Sequence, residues 1–279
     1  MPLGTAYSRL RPGDHLCWSY GTDRGRDDAV AGYVRAGLRE RQRVVYFTET
    51  LSPDNVLEEL DRRGIGVASA VHSGQLRVHS ADDTYLAGAA FVPEAVIAGW
   101  DAEVERARAD GWSALRVLGD MSWAARDIPG ADRIGWYEAQ VNRVFAGGES
   151  LAMCLYDRRL FDTRTRYRIE WAHPTTAGPD TPAPNGLRML RTGTPRGVRV
   201  EGEADLSNRQ ALRAVLDHLA EDASGTDPLV VDLSGLTFAD LAATRIIVQA
   251  AAHAPGRIRV VGASPTLRNL LRFNGGDSA

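Results

Sequence analysis

Apolar residues follow two alternating rhythms along the first half of this chain. Short, nearly unbroken runs occur at Val44-Val45-Tyr46-Phe47, Leu115-Arg116-Val117-Leu118 and Leu151-Ala152-Met153-Cys154-Leu155-Tyr156. Runs of this length predict strands covered on both faces. Between them, Pro53 to Arg63 (closed by Gly64), Val92 to Ala109 and Gly135 to Phe145 repeat apolar positions at helical spacing. Strands and helices alternating in this way predict an α/β fold with a largely parallel sheet. In such sheets the ligand crevice lies at the carboxyl ends of the strands, so the polar residues that follow each run are the first candidates for function.

The rhythm breaks at Pro174 to Gly186, PTTAGPDTPAPNG, which holds four prolines, two glycines and no large apolar residue. A segment with so little to bury predicts an extended linker, giving a front domain over 1–174, a linker over 175–187 and a rear domain over 188–279. In the rear domain, LRMLRTG and GVRVEGEAD read as two strands. Ser207 to Gln210 reads as a capping box ahead of a helix carrying Leu212, Val215, Leu216 and Leu219 on one face. PLVVDLSGLTF, LAATRIIVQAAAHA, RIRVVGA and SPTLRNLLRF continue as strand, helix, strand and helix, the last with a serine cap and proline at its first position. The predicted order is ββαβαβα.

Composition excludes chemistry. The net charge is −3, and all 33 basic residues are arginine, for the chain has no lysine. A guanidinium cannot act as an amine nucleophile or form a Schiff base, and a phosphate-binding Walker A loop has no candidate for its lysine. Two cysteines, Cys17 and Cys154, are too few for a disulfide framework. Apolar stretches are too short or too interrupted for a membrane span, and Arg9, Arg11 and Asp14 precede any hydrophobic run, so a cytoplasmic protein without membrane attachment is expected. The near-neutral balance, and the acids that interrupt the arginine-rich run from Arg158 to Glu170, argue against a nucleic-acid partner.

Residues 15 to 50 run strand, glycine-containing loop, helix, strand, the order of a nucleotide-binding unit. The loop from Gly21 to Asp28 lacks the lysine and the magnesium-binding hydroxyl, and it carries three aspartates. His15 and Cys17, two apart on a strand, face the same side. With Cys154, and with Asp120 or Glu49, they offer a soft metal set; core packing is the plainer reading, and no metal or cofactor is assigned. Glu49 and Asp120, each following a strand, offer an acid–base pair, the basis of an alternative in which an enzyme uses Glu49, Asp120, His15 or Cys17 in the vacated nucleotide crevice. Trp18, Trp123, Trp136, Tyr137 and Tyr156 would line an aromatic pocket or fill the core.

Six separated motifs, HLCWSY (15–20), RVVYFTE (43–49), LRVLGDMSW (115–123), WYEAQVN (136–142), LAMCLYD (151–157) and His173-Pro174, resemble in order and spacing the MEDS (methanogen/methylotroph sensory) domain. The resemblance implies a RecA/KaiC-like parallel-sheet domain without a P-loop, in which Glu49 and Asp120 take the acidic positions after the second strand and at the Walker B end. Asp120 stands where the family usually carries Glu. It further implies a non-catalytic module that senses a small organic ligand. The ligand-binding candidates within these motifs are His15, Cys17, Trp18, Tyr20, Glu49, Asp120, Trp123, Tyr137, Glu138, Tyr156 and His173.

GEADL (202–206), VVDLSGLTFAD (230–240) and GASPTLRNLL (262–271) resemble the STAS domain of anti-sigma-factor antagonists. The family's central loop reads Asp-Ser-Ser-Gly, with its first serine phosphorylated by the partner kinase, whereas Asp240-Leu241-Ala242-Ala243 stands here. Leu241 has no hydroxyl, so phosphorylation at the usual position is ruled out. The resemblance implies docking of an anti-sigma factor or related regulatory protein through Asp240, Leu241, Thr244 and Arg245; a homodimer is compatible with it. The expected function is a cytosolic sensor without ATPase or kinase activity.

Overall fold

The computed structural model describes residues 7, 9–179, 186–221 and 228–276 of the 279-residue chain. Six strands, β1 (His15–Tyr20), β2 (Arg43–Thr48), β3 (Leu76–Ser80), β4 (Leu115–Asp120), β5 (Ser150–Asp157) and β6 (Thr175–Ala177), form one parallel sheet in the order β3-β2-β4-β5-β1-β6. Side chains alternate across it. Leu16, Trp18 and Tyr20 pack with α1 (Asp23–Arg39), α2 (Pro53–Arg62) and α3 (Val67–His72). Cys17, Cys154 and Tyr156 face α4 (Pro93–Ala109), α5 (Ile134–Phe145) and α6 (Thr163–Glu170). Both faces are therefore covered, as the unbroken apolar runs require.

Three elements escape the sequence pattern. β3 is a sheet-edge strand whose LRVHS has polar residues at three of five positions, and α3 is a single short helix. β6 corrects the linker boundary. Thr175–Ala177 pairs with Leu16–Trp18 of β1, so the proline segment begins inside the front sheet. Thr-Thr-Ala has no large apolar side chain to mark it, and the ladder hydrogen bonds fix it instead. Residues 180–185 of the expected linker lie outside the described residues.

In the rear domain β7 (Arg188–Gly193), β8 (Arg196–Ala204), α7 (Arg209–Glu221), β9 (Leu229–Ala239), α8 (Leu241–His253), β10 (Ile258–Val261) and α9 (Pro265–Phe273) give the ββαβαβα order. The sheet runs β10-β9-β8-β7, antiparallel only between β7 and β8. Leu212, Leu216, Val231, Ile247 and Leu271 lie in its core. The expected capping box is absent. Asp205 captures both the backbone N–H and the hydroxyl of Ser207, while Asn208 accepts from the Asp205 N–H, so the helix starts at Arg209 from a closed polar turn. The serine cap of α9 does form, with Ser264 Oγ accepting from Leu267 N–H at 3.3 Å. Ser264→Ala will therefore cost about 1 kcal/mol, and Ser264→Asp will retain most of it, measured as shifts in urea midpoint.

The two domains share a seam. Leu187 N–H donates to Pro174 O at 3.1 Å and Arg191 N–H to Ala146 O at 2.7 Å, while Arg188 binds Asp14 at 2.9 Å and Pro12 O at 2.7 Å. Helices α5 and α7 pack together through Ala139, Ala172 and Ala214, small side chains that permit a close approach. The Arg209 guanidinium lies over the Trp171 ring.

Candidate functional site

The most concentrated polar chemistry lies beneath α5, against β1 and β5. His15 opens β1, Cys154 lies in β5, Glu138 projects from α5, and His173 follows α6; all four are buried. His15 Nε2 is 3.3 Å from Cys154 Sγ and 3.4 Å from Glu138 Oε2, while His173 Nε2 is 3.5 Å and Cys154 Sγ 3.6 Å from that oxygen. Tyr156 donates its hydroxyl to Glu138 Oε1. Asn142, one helical turn beyond Glu138, directs its amide nitrogen at three carbonyls, those of Glu138, Ala139 and Ala172. Its oxygen therefore faces His15 Nδ1, at 2.9 Å, and His15 carries its proton on Nδ1. His173 Nδ1 donates to Ile169 O at 2.8 Å. Both imidazoles consequently turn Nε2 toward Glu138.

Burial first, and then the neighbouring His15, push His173 down to about 4. The unfolded chain takes up that proton near 6.5, so this contribution to stability is complete above pH 6.5 and is lost as pH falls toward 4. A loss of about 2 kcal/mol between pH 7 and pH 5 is expected from this group in chelator-treated protein, measured by urea denaturation, with His173→Gln removing it. Burial and Glu138 raise the Cys154 thiol well above its usual range, and burial with Glu170 and Glu138 does the same for Cys17.

Cys17, Asp120 and Glu49 do not join this cluster. Cys17 lies beside Thr176, and Asp120 closes β4 at the carboxyl end of the sheet. Buried Asp120 accepts from the N–H and hydroxyl of Thr50, the N–H at 3.0 Å, and from Ser122 N–H at 3.1 Å, so its oxygens serve loop geometry. Tyr20 reaches the same neighbourhood, 3.5 Å from Ser122 Oγ, and burial raises it to about 12. Glu49 pairs with Arg126, which also binds Asp82. Glu49 and Asp120 thus share one end of the sheet, each already partnered, while His15 begins its strand at the opposite end.

The nucleotide-loop position also differs from expectation. Only Gly21 and Thr22 separate β1 from α1, with Thr22 Oγ1 accepting from Gly25 N–H at 3.1 Å; Asp23 to Asp28 are helical. Arg159 clamps Asp23 and Asp157, both at 2.6 Å, and a Cβ on Gly21 would collide with the Arg158 guanidinium. Protein cations thus fill the space over the helix start where an anion would otherwise approach.

The aromatic candidates separate. Trp123 and Tyr137 belong to a packed group with Phe91 and Tyr85, and Trp100 donates its indole N–H to the Tyr137 hydroxyl at 3.1 Å. Trp18 packs against Tyr7 on the other face of the sheet from that group, and Trp136 is exposed beneath Arg133. Sequence reasoning missed Asn142 as a functional partner, although it stands inside the WYEAQVN motif one turn after Glu138.

In the rear domain Asp240 caps α8, accepting from Ala243 N–H at 2.7 Å, and Leu241 is the first helical residue, 45% exposed. Thr244 is buried, donates to Leu241 O at 2.9 Å and accepts from Asn274 Nδ2 at 2.8 Å, so it belongs to the fold rather than to the exposed face expected to meet a partner. Arg209, Arg213, Leu241, Ala242 and Arg245 line a surface groove of about 430 Å³ with Gln210 and Ile246. No helix among the described residues is long and apolar enough to cross a membrane.

The family model described as MEDS, methanogen/methylotroph, DcmR sensory domain, matches residues 14–174, and the model described as Mlab, STAS domain, matches residues 188–278. Comparison with curated proteins gives no match. Among solved structures, the chain is similar to a KaiC-like protein of the hyperthermophilic archaeon Pyrococcus horikoshii, at 13% identity over 68% of this chain and 78% of that one, with a TM-score of 0.44. It is also similar to the flagellar accessory protein FlaH of Methanocaldococcus jannaschii, at 11% identity over 72% and 82% of the two chains, with a TM-score of 0.39. The sensory match covers more than half the residues: the chain belongs to the MEDS family, with a STAS domain following its sensory domain in the arrangement of a regulatory sensor.

Proposed function

We propose that the front domain binds a small organic ligand without transforming it, and that the STAS domain reports occupancy to a regulatory protein of the anti-sigma-factor class. The observation that carries this reading is α5. One face of the helix holds Glu138 and Asn142 against the buried polar cluster, while Ala139 packs with Ala172 and with Ala214 of α7. A ligand that shifts α5 therefore acts directly on the helix whose first turn borders the Leu241 groove.

A non-catalytic reading is supported by what the reactive groups already do. Both thiols are buried, Glu49 and Asp120 are partnered, and arginines cover the start of α1. On the output side, the exposed Leu241 with Arg209, Arg213 and Arg245 suits an acidic partner surface with an apolar anchor, docked without phosphorylation at Leu241.

The test is hydrogen exchange on the full chain, combined with its affinity for an anti-sigma-type partner, with and without whichever organic compound co-purifies or binds from a panel. Ligand should change protection in α5, α7 and the first turn of α8 together and alter partner affinity. A compound that binds the front domain and changes neither would overturn the proposal. Leu241→Asp should weaken the partner about tenfold or more while leaving ligand binding intact.

A further inference from the structure

We infer that His15, Glu138, Cys154 and His173 form a closed, four-coordinate site for a borderline-soft divalent cation of the zinc class, whatever the front domain senses. The hydrogen-bond network places the His15 proton on Nδ1, toward Asn142, and the His173 proton on Nδ1, toward Ile169 O. With both rings neutral, that leaves two imidazole lone pairs, a carboxylate oxygen and a sulfur converging on one buried point. The Cys154 thiol supplies a single proton among them, and His173 Nε2 has no hydrogen-bond partner. A buried acceptor aimed at other acceptors is relieved by a positive species between them, and a metal ion satisfies all four groups at once.

The distances match a cation. Zinc bonds of about 2.0–2.1 Å to nitrogen and oxygen and about 2.3 Å to sulfur set neighbouring ligands of a tetrahedron about 3.3–3.6 Å apart. Four of the six ligand-atom pairs are separated by 3.3, 3.4, 3.5 and 3.6 Å, and all four ligand atoms lie within 4.8 Å of one another. Charge matches as well: Glu138 and a Cys154 thiolate neutralise a divalent ion, the condition for burying one. The thiol proton leaves to solvent as the metal–sulfur bond forms.

The outer contacts have the form that metal histidines require, each ring held through its second nitrogen by an oxygen acceptor, with Glu138 held by the Tyr156 hydroxyl. Two nitrogens, a sulfur and a carboxylate select against magnesium and calcium. Four protein ligands, all buried, leave no open coordination position, so the ion would anchor α5 to β1, β5 and the His173 turn rather than activate water.

The experiment uses the full chain, stripped with a chelator and titrated with zinc(II) and with cobalt(II). One equivalent per chain is expected, and the cobalt form should show the visible bands of a tetrahedral site together with a thiolate-to-cobalt band. Cys154→Ser should abolish the thiolate band, His173→Ala should lower zinc affinity about 100-fold or more, and Cys17→Ser should alter neither. Circular dichroism identifies a variant that does not fold, and in that case the wild-type cobalt spectrum alone decides. Failure of the folded wild type to bind either ion, octahedral cobalt bands, or a thiolate band lost in Cys17→Ser but kept in Cys154→Ser would each overturn the inference and leave a hydrogen-bonded core cluster.

Discussion

Replacing Asn142 with leucine will destabilise the protein by roughly 3–5 kcal/mol and loosen the seam between its domains. The substitution nearly conserves volume but removes both ends of a bridge. Asn142 Oδ1 is the acceptor for His15 Nδ1–H, and Asn142 Nδ2 supplies the side-chain donor to Ala172 O at 2.9 Å. Each partner is buried, so each loses a hydrogen bond with no water to replace it, at about 1–3 kcal/mol apiece. Urea denaturation will register the loss as a lower midpoint. Because Ala172 lies against Ala139 and Ala214, hydrogen exchange should also rise in α7, some distance from the substitution. A variant that keeps wild-type stability and α7 protection would show that Asn142 is not the bridge described.

The second large effect belongs to the rear sheet. Gly197 lies in β8 opposite Val230 of β9, and a Cβ there would collide with Val230 O and lie 2.7 Å from Val230 N. Neither neighbour is a side chain that can swing away. Gly197→Ala must force the central strands β8 and β9 apart, and the expected cost is about 3 kcal/mol or more. By contrast, a Cβ on Gly193 at the end of β7 would meet nothing within 4 Å, so Gly193→Ala serves as the control and should lie within about 0.5 kcal/mol of wild type in the same denaturation experiment.

Much of the architecture was legible because the sequence states it redundantly. Leu151 through Tyr156 is apolar at every position, and a strand covered on both faces is the arrangement that buries all of it. The serine–proline start of α9 names its own cap. What remained illegible depends on partners distant in sequence. Thr175–Ala177 becomes a strand because β1 offers it a ladder, and nothing in Thr-Thr-Ala announces that. Ser207 loses its capping role to Asp205, two residues earlier, a local competition that a motif cannot resolve. The candidate site was half visible. His15 and Cys154 stood out as chemistry-bearing residues, and Glu138 and His173 lay in the family-like motifs, but their convergence is set by how α5 crosses β1 and β5. Asp120 and Glu49 carried as much chemical promise along the chain, yet the topology places them at the other end of the sheet with loop residues for partners.

The burial of both thiols gives the protein a native clock. Cys17 and Cys154 are shielded by α5, α6 and the sheet, so a thiol reagent added to the folded chain should meet no accessible sulfur until α5 lifts. Its labelling rate then counts openings of that layer directly. No dye, tag or introduced residue is required. Any molecule that clamps or pries the helix would be read as slower or faster labelling of two buried cysteines, on the chain as it stands.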